Sequence, residues 1–232
     1  MKMILLDKDG TLLDYGKVWG PYARKCVDNF VETFDKHHEK ESLEKSLGVV
    51  DGVIQANSVV ASGTGSEIHA TFERYAESGS EWAKKHYEEN FDFIYAHMRL
   101  IAGAKETMEA FHRLGYKNVI VTSDSRKSTE AFIEKFNLGV LITDVVAGGD
   151  SEYCKPDIRV LDQLMARHGL EISDLVMVGD NAADTMLGYD EGMFTVGVLS
   201  GTSKKEDLDG ADLIVDSIED MIRDNRLIFE DK

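Results

Sequence analysis

Two acidic residues stand two positions apart near the start of the chain, directly after a short apolar run. Asp7 and Asp9 follow Met3–Leu6 within residues 7–12 (DKDGTL). In an extended segment, residues at i and i+2 point to the same side, so both carboxylates can converge past the strand's carboxyl end, and Lys8 should point away from them. Open α/β sheets hold their active sites at that edge. Because converging carboxylates repel each other, the pair predicts a bound cation or a shared proton, unless it is only a polar turn.

Two later apolar runs also end in polar side chains. One run (VIVTS) ends at Thr122 and Ser123, and another (LVMVG) leads into Asp180, with Asp184 four positions further on. Lys155 lies between these two runs. Each residue also has an ordinary structural explanation, since Ser and Thr favour turns, Asp caps helices and a lysine is usually solvated. The order and local context of the whole set favour a shared catalytic site.

Together, the residues in these positions resemble the four motifs of the haloacid dehalogenase superfamily of phosphohydrolases. The resemblance covers residues 1–15 and about 99–220. The segment between them resembles the family only in its size and helical character. The expected activity is phosphoric monoester hydrolysis of a small molecule, because Asp9 is an acid at the position where the family's dehalogenases lack one and its ion pumps have Thr.

The resemblance implies a role for each motif residue. Asp7 would be the nucleophile that forms an aspartyl-phosphate, and Asp9 would protonate the leaving oxygen and then activate water. Thr122 and Lys155 would complete the catalytic set by contacting the phosphoryl group. The phosphate-binding residues implied in this way are Gly10, Thr11, Thr122, Ser123 and Lys155. Whether Thr122 or Ser123 supplies the contacting hydroxyl stays open.

A Mg²⁺ site is implied by the same resemblance. Phosphoryl transfer calls for a hard cation with oxygen ligands, which neutralises the charge on the transferred group. Asp7 and Asp180 would contribute carboxylates, and Asp9 would contribute its backbone carbonyl. Asp184 would bind the metal directly, hold a metal-bound water, or orient Lys155.

Strand and helix patterns alternate after residue 99 and predict the fold of the catalytic core. Apolar runs indicate strands at 118–122, 144–147, 175–179, 194–198 and 213–215, separated by helices at 104–114, 128–137, 157–168 and 182–190. Such alternation is typical of a doubly wound, Rossmann-like α/β fold, in which helices cover both faces of a parallel sheet. The predicted core comprises residues 1–15 and 99–232.

Residues 16–98 are predicted to form an inserted helical cap domain. Pro21 suits the first turn of its first helix, and further helices are expected at 43–47, 66–77 and 80–98. The connection 48–65 is irregular and could line the site. Residues 61–67 and the shape of the insertion resemble the phosphoglycolate-phosphatase-like hydrolases.

Composition limits the possible partners. The net charge of −17 over 232 residues argues against nucleic acids and anionic membrane surfaces, which both attract basic patches. The chain has no run of about 18 apolar residues, which a membrane-spanning helix would need. Only Met1 and Lys2 precede the first apolar run, and this stretch is too short for a signal peptide. The two cysteines do not suggest a disulfide framework. Together with the resemblance, this leads us to expect a cytoplasmic enzyme that acts on a small phosphomonoester, either a phosphoglycolate-like compound or a sugar phosphate, as a monomer or a homodimer.

Three alternative functions stay open at this stage. A β-phosphoglucomutase-like phosphomutase would need an acid or base in the cap. A phosphonate hydrolase would need a Schiff-base lysine there, but the cap lysines stand in charged surroundings. A non-catalytic binding or regulatory module could keep the fold without turnover, because a fold does not by itself imply a function.

Overall fold

A computed structural model describes residues 3–229 of the chain. Its strands are β1 (Met3–Leu6), β2 (Val49–Val50), β3 (Val53–Ile54), β4 (Lys117–Ser125), β5 (Ile142–Gly148), β6 (Leu175–Gly179), β7 (Phe194–Val198), β8 (Leu213–Val215), β9 (Ile222–Arg223) and β10 (Arg226–Leu227). Its α-helices are α1 (Tyr15–Thr33), α2 (Lys40–Leu47), α3 (Val59–Ser62), α4 (Gly65–Glu73), α5 (Gly79–Glu89), α6 (Phe91–His97), α7 (Ala104–Arg113), α8 (Arg126–Lys135), α9 (Asp162–His168) and α10 (Ala182–Thr185). Among these helices, none is both long enough and apolar enough to cross a bilayer.

Six strands form one parallel sheet in the order β5-β4-β1-β6-β7-β8. The first strand of the chain therefore lies inside the sheet, between β4 and β6. Leu6 at its carboxyl end pairs with Ile120 of β4 and Val178 of β6. This register brings three segments that are far apart in sequence to the same edge of the sheet.

Each face of the sheet has its own hydrophobic core. Ile4 and Leu6 pack on one face with residues of α7 and α8, whereas Met3 and Leu5 pack on the other face with residues of α9. Successive residues of a strand point to opposite faces, so an apolar run such as residues 3–6 fits a strand that is covered on both sides. These observations confirm the predicted doubly wound α/β fold.

A third hydrophobic cluster lies within the helical segment 16–98. Phe30 of α1 is fully buried at its centre, and its ring packs 4.7 Å from Phe34, 5.0 Å from Phe72 and 5.2 Å from Trp82, measured between centroids. Residues of α2 and α5 complete the cluster. The only strands in this segment are the two-residue β2 and β3, which pair with each other and not with the main sheet.

The first helix begins six residues before the predicted start at Pro21. Asp14 caps α1 by accepting a hydrogen bond from the backbone N–H of Lys17 at 3.3 Å. Tyr15 and Val18 are buried within its first turns. The cap and the buried side chains together stabilise the helix from Tyr15 onwards. They outweigh the loss of one backbone hydrogen bond at Pro21, which has no N–H to donate.

Two other predicted helices are shorter in the structure. The helix expected over 80–98 is divided into α5 and α6 at Asn90, which has a non-helical φ of −106°. The helix expected over 182–190 ends at Thr185, and Gly188 then adopts a left-handed φ of +69°. A Cβ at Gly188 would lie only 2.9 Å from Cβ of Met193, so this turn requires glycine.

Replacing Phe30 by alanine should lower the free energy of unfolding by about 3–5 kcal/mol, because a large buried ring would leave a cavity. Both tryptophans of the chain, Trp19 and Trp82, lie in the helical segment, so urea unfolding followed by their fluorescence measures this effect. Val140→Ala is the matched control, since Val140 is 87% exposed and its loss should change the free energy by less than about 0.5 kcal/mol. Equal effects of the two substitutions would contradict the proposed packing.

Candidate active site

The carboxyl ends of β1, β4 and β6 bring the predicted site residues together. Asp7 directly follows β1, and its backbone N–H donates to the carbonyl of Val178 on β6 at 2.9 Å. Thr122 lies two residues beyond Ile120, and Asp180 lies two residues beyond Val178, which are the residues paired with Leu6. All three side chains are buried.

Lys155 joins two of the acids in a buried ion-pair network. Its Nζ lies 2.6 Å from Oδ1 of Asp7, 2.6 Å from Oδ1 of Asp184 and 3.0 Å from the carbonyl of Val121. Burial alone would lower the pKa of Lys155, but the two carboxylates raise it above its ordinary value. Burial raises the pKa of Asp7 to about 6, although Lys155 opposes this shift. The lysine therefore stays charged and fixes one oxygen of each acid.

Asp180 completes a cluster of three acids with Asp7 and Asp184. One oxygen of each carboxylate lies within 4.8 Å of the others. Oδ2 of Asp180 accepts a hydrogen bond from the Thr202 backbone at 3.0 Å, whereas Oδ1 is buried and has no hydrogen-bond partner within residues 3–229. Burial and the two neighbouring acids raise the pKa of Asp180 well above its ordinary value. A divalent cation with oxygen ligands fits this donor set, because it would satisfy the free oxygen and offset the repulsion.

Gly10 is needed for the close approach of the first turn to this cluster. Its φ is +95°, and a Cβ at this position would lie 2.5 Å from the carboxylate of Asp180. The Gly10 carbonyl accepts a hydrogen bond from the Ser200 hydroxyl at 2.7 Å. The turn is thus fixed to the opposite loop, directly beside the acids.

Asp9 is held by two groups that the sequence pattern did not connect to it. The indole N–H of Trp19 donates to Oδ1 of Asp9 at 2.5 Å, and Nζ of Lys8 lies 2.6 Å from Oδ2. Lys8 also pairs with Asp124 at 2.9 Å and is completely buried. Burial raises the pKa of Asp9 to about 6, and the positive charge of Lys8 opposes the rise.

The prediction that Lys8 points away from both acids is wrong. Two-residue alternation holds only inside a strand, and β1 ends at Leu6. The carbonyl of Lys8 accepts hydrogen bonds from the backbone N–H groups of Leu12 and Leu13 at 2.9 and 2.8 Å, so the chain already turns here. This turn directs the Lys8 ammonium between Asp9 and Asp124.

The remaining predicted residues differ in their access to the site. Thr122 and Ser123 both line the cavity in front of Asp7, and the Thr122 hydroxyl oxygen accepts a hydrogen bond from the Asp124 N–H at 3.1 Å. The hydroxyl hydrogen of Thr122 is therefore available to a ligand. Gly10 and Thr11 do not line this cavity, and the Thr11 side chain is fully buried.

Asp184 contacts Lys155 and also takes part in capping helix α10, two roles that the sequence analysis treated as alternatives. While Oδ1 contacts Lys155, Oδ2 accepts a hydrogen bond from the Asn181 backbone at 3.2 Å. Asn181, not Asp180, is the N-cap of α10. Asp180 is therefore free of a capping role.

The cavity continues from the acids into the helical segment and has a volume of about 420 Å³. Its walls include Tyr15, His69, Lys84 and Asp124, none of which the motifs indicated. Burial and the nearby Lys84 lower the pKa of His69. For the cap side of the cavity, the sequence offered only the general expectation that the connection 48–65 could line the site. Residues 60–65 of this connection do line the cavity.

Comparison with known proteins is consistent with this geometry. A model of the haloacid dehalogenase-like hydrolase family matches residues 4–198. The chain belongs to this family. Membership confirms the resemblance that the motif residues indicated and the prediction that the chain is a hydrolase.

Relatives of this hydrolase include named phosphatases that match it over most of their length. It is 24% identical to a phosphoglycolate phosphatase of Vibrio parahaemolyticus over 230 residues, covering 96% of this chain and 95% of that protein. It is 25% identical to the pyrophosphatase PpaX of Halalkalibacterium halodurans, covering 83% and 80% of the two chains. The crystal structure of a predicted phosphoglycolate phosphatase from Haemophilus somnus has a TM-score of 0.73 at 19% identity, covering 95% and 96%.

Removing the buried charge of Lys8 should destabilise the folded protein. In Lys8→Met, Asp9 and Asp124 would lose their counter-charge, so the free energy of unfolding should fall by about 3–5 kcal/mol. Lys127→Met is the matched control, because Lys127 forms an exposed ion pair with Glu88 at 2.8 Å and such pairs contribute at most about 1 kcal/mol.

Urea denaturation of both variants measures the difference. The further substitution Asp124→Asn should restore part of the stability that Lys8→Met loses. Equal stabilities of the Lys8→Met and Lys127→Met variants would show that the buried ion pairs contribute no more than an exposed one.

Proposed function

We propose that this hydrolase is a Mg²⁺-dependent phosphatase that releases phosphate from a small-molecule phosphomonoester through an aspartyl-phosphate on Asp7. One observation carries the proposal: Lys155 holds Asp7 and Asp184 at 2.6 Å each, next to Asp180, at the inner end of a cavity. The full-length match to relatives named as phosphatases supports the same reaction.

Asp7 is the nucleophile in this proposal. Lys155 contacts its Oδ1, which leaves Oδ2 to attack phosphorus. The new bond joins this oxygen to phosphorus, while the bond from phosphorus to the leaving oxygen breaks. Thr122 and Ser123 at the wall of the cavity can donate hydrogen bonds to the phosphoryl oxygens, where charge builds up during transfer.

Asp9 carries the proton in both half-reactions. It gives a proton to the leaving oxygen and later takes one from the water that attacks the phosphorus of the aspartyl-phosphate. That second step restores the Asp7 carboxylate and releases inorganic phosphate. The Trp19 N–H and the Lys8 ammonium hold the Asp9 carboxyl in place for both transfers.

The carboxylates of Asp7 and Asp180 and the backbone carbonyl of Asp9 would hold Mg²⁺. When bound, the ion supplies positive charge that neutralises the phosphoryl oxygens. Asp184 orients Lys155 through its direct contact and can reach the ion through water. The partnerless Oδ1 of Asp180 within the described residues supports a ligand at this position.

Residues 16–98 act as the cap domain of this enzyme, and residues 1–15 and 99–232 are its catalytic core in this proposal. Residues 1, 2 and 230–232 of that core lie outside the described residues. Contacts between the two support this division. The Tyr87 hydroxyl lies 3.0 Å from the Ser125 hydroxyl, and the N–H of Ala182 donates to Asn57 at 3.3 Å. A cap in this position keeps bulk water from the aspartyl-phosphate and selects the leaving group.

A phosphomutase is the second candidate, and His69 is the observation that favours it. This residue of α4 lies in the cap and lines the cavity, as an acid or base for an isomerising enzyme would have to. The two functions differ in their product, since a mutase forms an isomer of a sugar phosphate and a phosphatase releases inorganic phosphate.

The purified protein should release inorganic phosphate from phosphomonoesters only with Mg²⁺ present. Asp7→Asn should abolish release, because the amide is not a nucleophile. Asp9→Asn should lower kcat by about 10²–10⁴-fold, since general acid-base catalysis is lost. Asp157→Asn is the control, because Asp157 pairs with Arg159 at 2.5 Å on the surface and should retain full activity.

Three results would contradict the proposal. Phosphate release by Asp7→Asn at the rate of the unsubstituted protein would exclude the aspartyl-phosphate. Formation of an isomer from a sugar phosphate without phosphate release would favour the mutase. Binding of Mg²⁺ and vanadate without any turnover would favour a non-catalytic module.

Mg²⁺ should also stabilise the protein in the absence of substrate. At a concentration of 100 times Kd, an ion that binds only the folded state adds about 2.7 kcal/mol. Asp180→Asn should remove this effect while leaving the metal-free protein as stable or more stable, because burial and neighbouring acids disfavour the Asp180 charge. Thermal denaturation over a Mg²⁺ series measures both quantities, and an unchanged Mg²⁺ effect in the variant would place the ion elsewhere.

A further inference from the structure

The cavity is larger than a site for phosphate and a two-carbon acid requires. It extends from Asp7 and Asp9 into the cap and has a volume of about 420 Å³, within the range of about 300–1,000 Å³ that holds drug-sized ligands. Residues of the core and of the cap line this one cavity together. Whatever alcohol leaves the phosphoryl group therefore faces the interior of the cap.

This space is present while the cap is docked on the core. Tyr87 contacts Ser125 at 3.0 Å, and the Tyr15 hydroxyl donates to the carbonyl of Val60 at 2.7 Å. An ion pair joins Glu88 of α5 to Lys127 of α8 at 2.8 Å. The cavity thus lies beneath a cap that already contacts the core, and it is not a gap left by an undocked cap.

The wall of the cavity changes character along its length. At the core end it carries Thr122, Ser123 and the acids, whereas its far end is formed by Ala23, Leu47, Phe72 and other apolar residues. Those far residues are also members of the buried hydrophobic cluster of the cap. A hydroxyl-rich or carboxylate leaving group would lose its hydrogen bonds to water there without gaining others, which is unfavourable.

Small side chains create the space at the far end. Ala23 of α1 and Ala83 of α5 are 7% and 3% exposed, and both line the cavity. Aromatic rings of Trp19, Tyr22 and Tyr87 form the wall between this end and the acids. Flat aromatic walls around an apolar pocket suit an aromatic ligand.

Two titratable groups of the cap accompany the apolar wall, besides the hydroxyls of Ser62, Thr64 and Ser66. His69 of α4 and Lys84 of α5 line the cavity and lie close enough for Lys84 to lower the pKa of His69. They can bind one polar substituent on a leaving group that is otherwise apolar.

We propose that the leaving group is a bulky, mainly apolar alcohol that carries an aromatic ring, and that Ala23 and Ala83 determine this specificity. The inference rests on the proposed phosphatase function and adds the substrate class to it. A phosphomonoester of this kind places its phosphoryl group at Asp7 and its ring among the cap helices. Phosphoglycolate would leave most of the cavity unfilled.

The test compares esters of primary alcohols, which share similar leaving-group chemistry. We expect kcat/KM for 2-phenylethyl phosphate to exceed that for phosphoglycolate and glycerol 3-phosphate by at least about 10-fold, because each added apolar group in a fitting pocket gains about 10-fold or more. Phosphate release with Mg²⁺ is the readout. A higher kcat/KM for phosphoglycolate than for 2-phenylethyl phosphate would overturn the inference.

Substitutions that fill the far end of the cavity from α1 or from α5 also test the proposed substrate specificity. Ala23→Leu and Ala83→Leu should each lower kcat/KM for 2-phenylethyl phosphate by at least about 10-fold, while phosphoglycolate changes by less than about 2-fold. Ala70→Leu is the matched control, since Ala70 lies on the exposed face of α4 and does not line the cavity. It should leave both substrates unaffected.

Each outcome separates this inference from the function on which it rests. Release from small esters only, or equal effects of the variants on both substrates, would overturn the inference and leave the phosphatase intact. No release from any ester by the folded protein would overturn the phosphatase itself. If the leucine variants fail to fold, the ranking of the esters by the unsubstituted protein still decides the inference.

Discussion

Concentrated negative charge at one edge of the sheet is the constraint on which the rest of this structure depends. Five acidic side chains meet there with two buried lysines: Asp7 and Asp184 share Lys155, Asp9 and Asp124 share Lys8, and Asp180 has neither. Buried carboxylates without counter-charges would be strongly unfavourable. The two lysines offset two of the five carboxylates, and Asp180 is the one with which neither lysine forms an ion pair. A divalent cation beside Asp180 would offset part of the repulsion that remains.

The connection between cap and core is built on the same charges. Helix α1 starts only eight positions after Asp7, and its Trp19 donates directly to Asp9. The proposed cap is thus anchored at Asp9, the proposed acid-base residue, and Tyr15 of the same helix contacts Val60. A displacement of α1 would therefore change the surroundings of Asp9 and the shape of the cavity together. In the proposed mechanism, a single helix therefore couples the position of the cap to the acid-base chemistry of Asp9.

The sequence predicted the sheet well because its strands are apolar runs with polar residues at their ends. The strands at Leu175–Gly179 and Phe194–Val198 agree with the predicted limits, since strong β-formers and abrupt polar boundaries mark them. Local sequence patterns gave wrong predictions where contacts between residues far apart in sequence determine the structure. Lys8 turns inward because Asp124, more than a hundred positions away, receives it. The division of the predicted helix at Asn90 and the depth of the cavity likewise depend on packing, which has no local signature.

The position of β1 inside the sheet has a consequence for the way the chain is made. Strand β1 leaves the ribosome well before both of its neighbours, because β4 starts at Lys117 and β6 at Leu175. Until then the apolar run Met3–Leu6 has no partner on either side, and Asp7 lacks the ion pair that it forms with Lys155. Contacts of such long sequence separation slow folding and expose unpaired strands. The helical segment has a hydrophobic cluster of its own, formed by residues that lie close together in sequence, so its core can form before β4 and β6 are made.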